Sequence, residues 1–98
     1  MADKNQIIRD FTNYIGSESY SRWYVGIASD PKERLFGDHN VSESGGAWIY
    51  RDAESESIAR DVEKYFLNLG ANGGGGGGDG SSRYVYAYRK TSTTNEDN

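Results

Sequence analysis

His39 is the single histidine of this chain, next to Asp38 and five residues after Arg34, where an imidazole titrating near neutral pH would be able to assist a proton transfer. The plainer reading is a loop histidine closing a helix end. Arg34 carries a guanidinium that can give two parallel hydrogen bonds to a phosphate, or act as a solvated charge paired with Glu33 or Asp38. Tyr84, Tyr86 and Tyr88 alternate along one stretch and offer either a base-stacking platform or a packed sheet face. The run Gly73 to Gly78 lacks the Gly-Lys-Ser/Thr of a phosphate-cradling P-loop and leads into a strand. It reads as a loop over 73 to 80, expected to be mobile because glycine loses the most backbone entropy on ordering.

The elements that must hold these residues follow from periodicity. Ile7, Ile8, Phe11, Tyr14 and Ile15 recur at helical intervals, giving an amphipathic helix over 5 to 15. Arg22 to Ala28 alternates Trp23, Val25 and Ile27 with Arg22, Tyr24, Gly26 and Ala28, the pattern of a strand. Asp30-Pro31 is a helix start, with a capping residue, a proline suited to the first helical position and Glu33 where a capping-box acid belongs. Ala47 to Arg51 reads as a second strand, which suggests a βαβ step. Ile58, Val62, Tyr65, Phe66 and Leu69 define the longest helix, 55 to 69, with Gly70 to stop it and Glu63 on the margin of its apolar stripe. Arg83 to Lys90 alternates as a third strand.

Composition narrows the function classes. A chain of 98 residues fits one domain with a single layer of sheet. With no cysteine, disulfide frameworks and thiolate metal sites are excluded, and a reducing cytoplasmic setting is expected. No signal-peptide pattern or membrane-spanning apolar run is visible. Eleven Lys and Arg against fifteen Asp and Glu give a net charge of −4, which on average repels phosphate. Several acids lie near the ends and six arginines in the middle, so a local basic surface is compatible with that balance.

Tyr24-Val25-Gly26, followed at ten positions from the tyrosine by Arg34, and the helix segment Ala59-Arg60-Asp61-Val62-Glu63-Lys64-Tyr65-Phe66 resemble the GIY-YIG nuclease superfamily over residues 22 to 72. The resemblance implies metal-dependent attack of water on a phosphodiester of DNA or RNA. In that scheme Tyr24 positions or deprotonates the water, Arg34 steadies the phosphoryl oxygens and Glu63 holds one Mg2+ or Mn2+, with His39 a further catalytic candidate. Arg22, Gly26 and Asn72 are candidates for contacting substrate, Asn72 standing for the late asparagine of the family. The Gly-Ile-Tyr strand that the family places about ten residues before Tyr24 has no counterpart there, since that stretch reads as helix.

The expected architecture is α/β, a small three-stranded mixed sheet in the order α-β-α-β-α-β, with a single domain over 1 to 90 and a disordered polar tail over 91 to 98. Nuclease activity is the leading function. A catalytically inactive fold that binds a protein partner is the rival, and a nucleotide or small-ligand binder using a cleft between Tyr24 and Arg34 is a third class.

Overall fold

The computed structural model describes residues 3–73 and 82–96. The expectation of mobility in the glycine run therefore falls outside the described residues, except at Gly73. Helix α1, Lys4–Ile15, begins where the side chain of Asp3 accepts the amide of Gln6 at 2.8 Å, and it buries Ile7, Phe11 and Ile15. Gly16, at φ 67°, ends it. Strand β1, Trp23–Ala28, is buried along its whole length. β2 spans Trp48–Asp52, helix α2 spans Glu56–Asn68 behind an Ser55 cap, and β3 spans Tyr84–Arg89. Among the described residues no helix is long and apolar enough to cross a membrane.

The expected order of elements is observed, but the sheet is antiparallel rather than mixed. β3 lies between β1 and β2 and pairs with both in antiparallel fashion. β1 and β2, both antiparallel to β3, run parallel to each other, so the suggested βαβ step is a split one, with the last strand lying between the first two. The physical reason lies in β3 itself: Val85, Ala87, Tyr86 and Tyr88 are all at most 1% exposed, and a strand apolar on both faces belongs at the centre of a sheet. Among the described residues the one parallel contact is a bridge on the outer side of β1, where Val25 N donates to Asn72 O at 2.8 Å and Asn72 N to Trp23 O at 2.9 Å.

The two faces of the sheet have different cover. Trp23, Val25, Ile27, Ile49, Val85 and Ala87 pack against α1 and α2, with Phe11 and Phe66 stacked at 5.7 Å between the helices. The opposite face carries Tyr24, Tyr86 and Tyr88, flanked by Trp48 and Tyr50. It is covered by Leu35, His39 and Val41 from the segment that follows β1. That segment opens as expected, Asp30 Oδ1 accepting the amide of Glu33 at 3.2 Å. It then winds as a π-helix over Glu33–Asp38, with the amide of His39 bonded five residues back to Arg34 O at 2.8 Å. At the free edge of β2, Tyr14 Oη accepts from Trp48 N at 3.1 Å and the Arg51 guanidinium donates to Tyr50 O at 2.8 Å.

Composition reads 91 to 98 as a disordered tail. Of that stretch residues 91–96 are described, and they fold back onto the aromatic face: Asn95 N donates to His39 O at 2.7 Å and Asn40 Nδ2 to Thr93 O at 3.0 Å. Side-chain hydroxyls and amides thus recruit a segment that has no apolar residue to bury.

Register sets Gly26 opposite Tyr86, and the Tyr86 ring lies across the space a side chain would fill. A Cβ at position 26 would meet the Tyr86 hydroxyl at 2.6 Å and its ring carbon Cζ at 2.7 Å. Gly26→Ala is therefore expected to displace the Tyr86 ring and to cost about 1–3 kcal/mol of stability by overpacking. Urea unfolding together with near-ultraviolet circular dichroism would check this, and unchanged values for both would contradict it.

Candidate functional site

Antiparallel pairing of β1 with β3 brings tyrosines from distant parts of the chain onto one face. Tyr24 and Tyr88 are cross-strand partners with rings stacked at 5.3 Å, and Tyr86 stacks on Tyr24 at 6.4 Å. The π-helix delivers Arg34 to the same place. Its guanidinium hydrogen-bonds the Tyr86 hydroxyl and pairs with Asp38 at 2.8 Å. Burial, and after it the neighbouring Tyr24, raise the Tyr86 hydroxyl far above its ordinary range, so it stays protonated.

His39 is fully buried and its ring lies 4.7 Å from Tyr24, 5.6 Å from Tyr86 and 5.0 Å from Tyr88. Its Nδ1 is 2.7 Å from the Asn95 carbonyl oxygen, which can only accept, so Nδ1 carries the proton. Nε2 is 2.8 Å from the Tyr86 hydroxyl and must accept from it. Burial holds the His39 pKa below its usual value, more than the Asn95 carbonyl raises it, and the imidazole is neutral at pH 7. In this position His39 is a hydrogen-bond relay.

Glu63 differs from its expected place at the margin of a helix surface. It is 3% exposed, because α2 turns this side chain toward the sheet beside Val62 and Phe66. Among the described residues nothing hydrogen-bonds its carboxylate. Among the described residues fully buried side-chain polar atoms all have partners, so the Glu63 oxygens are where this side chain retains contact with solvent. Burial raises its pKa, an effect that Arg60 and Lys64 only partly offset, and its charge is close enough to act on Tyr86. A carboxylate whose oxygens reach solvent while its stem is buried could meet a cation there, and a hydrated magnesium needs only one or two carboxylates besides substrate oxygens. Among the described residues no group of three His, Asp or Glu side chains forms a metal site, so Glu63 would be the one carboxylate.

Beside Tyr24 lies an open cleft of about 410 Å³ lined by Leu67, Ala71, Asn72, Gly73 and Glu96. Asn72 thus adjoins Tyr24, and Gly26 lies beneath the Tyr86 hydroxyl. Arg22 is exposed in the turn before β1, outside the cluster. Tyr86, Tyr88 and Asn95 were not identified as site residues from the sequence. The alternation of Tyr84, Tyr86 and Tyr88 was visible there, but their partner strand was not. The chain matches no family model, no curated protein and no solved structure.

The folded protein holds the Glu63 proton more tightly than the unfolded chain does. The group therefore favours folding below the ordinary carboxyl range near 4.5, and that contribution is lost as pH rises through the folded-state value. Glu63→Gln is expected to stabilise the protein at pH 7 by about 0.5–2 kcal/mol, with the advantage fading at pH 4. Urea unfolding at the two pH values measures it, and a destabilised variant at pH 7 would contradict it.

Proposed function

We propose that this chain is a divalent-metal-dependent nuclease of the GIY-YIG type, acting on DNA or RNA, in which the site's second tyrosine is Tyr86 from the last strand. The observation that carries this reading is the contact of the Tyr86 hydroxyl with the Arg34 guanidinium beside Tyr24, with the unpartnered Glu63 carboxylate in electrostatic reach. This reading departs from the family pattern in sequence order. A strand following Tyr24 takes the part of one that should precede it.

In this reading Tyr24, at the cleft, positions the attacking water, and Arg34 holds the phosphoryl oxygens with charge-assisted hydrogen bonds. A bond from water oxygen to phosphorus forms as the ester bond breaks. The water's proton leaves past the Tyr24 hydroxyl to solvent, and the departing alkoxide takes one up. Mg2+ or Mn2+ held at Glu63 would supply positive charge against the phosphoryl oxygens. Tyr86 accepts from Arg34 and donates to His39, which keeps the guanidinium aimed. The alternative, a non-catalytic fold that binds a protein partner, is favoured by the exposed Tyr65 on α2 and Leu69 at its C-cap and by the net charge of −4.

The test uses single-stranded, double-stranded and branched DNA and RNA with Mg2+ or Mn2+. Cleavage by the native protein is expected, with Arg34→Ala and Glu63→Gln each lowering the rate by about 100-fold or more while the fold is kept. Mg2+ should also raise the melting temperature of the native protein more than that of Glu63→Gln. No cleavage of any substrate, with no metal-dependent stabilisation, would refute the nuclease and leave the binding module.

A further inference from the structure

We infer that residues 91–96 form a working part of the site: the Asn95 carbonyl, supported by Tyr88, fixes the tautomer of His39 and through it the aim of Arg34. The role assigned to Arg34 rests on the nuclease reading, whereas the tautomer can be measured without it. Asn95 and Tyr88 are positioning residues in this scheme.

The hydrogen-bond chain admits one direction. Tyr88 gives its only proton to Glu96 Oε2 at 2.9 Å, so its oxygen, 3.2 Å from His39 Nδ1, can only accept. The Asn95 carbonyl at 2.7 Å is likewise an acceptor. Both neighbours of Nδ1 therefore require a proton on it, and the opposite tautomer would set lone pairs against each other in a buried site. Nε2 is left with its lone pair toward the Tyr86 hydroxyl, which donates to it and keeps its own oxygen for the Arg34 guanidinium. The order runs from Arg34 to Tyr86 to His39 to Asn95.

The strap that ends this chain is itself anchored. Asn95 N is bonded to His39 O, so that one residue grips both the backbone and the ring of His39. Asn40, in the left-handed region at φ 57°, reaches Thr93 O. Thr94 Oγ1 accepts from Thr91 N and donates to Thr91 O, both at 3.0 Å, which closes the turn after β3. The imidazole is fully buried beside three tyrosine rings.

Because the chain has one histidine, long-range nitrogen-15 NMR of the full-length protein reads its tautomer directly. The native protein should show His39 protonated at Nδ1 alone at pH 7. Asn95→Pro removes the amide that anchors the strap and should yield mixed tautomers, with loss of the ordered Arg34 side-chain signal. Tyr86→Phe removes the partner of Nε2 and should leave the Nδ1-protonated form unchanged, which is informative even where Asn95→Pro fails to fold. An Nε2-protonated native protein, a single unchanged tautomer in folded Asn95→Pro, or a tautomer switch in Tyr86→Phe would each overturn the assignment. An intact tautomer with no nuclease activity would instead count against the nuclease reading alone.

Discussion

A hydroxyl buried beneath a sheet face costs about 1–3 kcal/mol if it finds no partner, and the Tyr86 hydroxyl meets that requirement with two. It lies over Gly26, where any larger residue would collide with it, and between Arg34 and His39. The arrangement of the aromatic face follows from satisfying this group. Arg34 must come from the π-helix, His39 from the turn that closes it, and the strap must saturate the far side of the imidazole. Each is held by a polar contact that would be expensive to leave unmade in so enclosed a place.

The local elements were legible in the sequence because their signals are local. The period of Ile7, Phe11 and Ile15, that of Ile58, Val62 and Phe66, and the Asp30-Pro31 start all depend on neighbours within one or two turns. Strand order is a different kind of fact. Nothing near Tyr86 says that it pairs with Gly26, sixty positions away, although the absence of a polar face on Val85 to Tyr88 was the signal of a central strand. Glu63 was misplaced for a related reason: at the margin of an apolar stripe, burial depends on what packs against the helix. The strap escaped notice because composition gives weight to apolar content, and this segment is held by hydrogen bonds.

Two charged groups of the site stand in contrasting environments. Arg34 is partly exposed and already paired with Asp38, and its guanidinium sits beside the Tyr86 hydroxyl without being removed from solvent. Glu63 is enclosed by packing while its oxygens keep contact with solvent, and burial raises its pKa against the partial offset of Arg60 and Lys64. Its setting differs from that of Arg60, whose ion pair with Glu56 at 2.7 Å lies along the solvent side of the helix.

The central position of β3 bears on the order in which this protein can assemble during synthesis. β1 and β2 gain no strand partner until residues 84–89 leave the ribosome, since they do not pair with each other and β1 has before that only its bridge to Asn72. Most sheet contacts therefore join residues far apart in sequence, a topology that slows folding. The helices can form as they emerge, but the aromatic face cannot. Arg34 stays without Tyr86, and His39 without Asn95, until those later residues have been made, so the aromatic cluster cannot assemble before then.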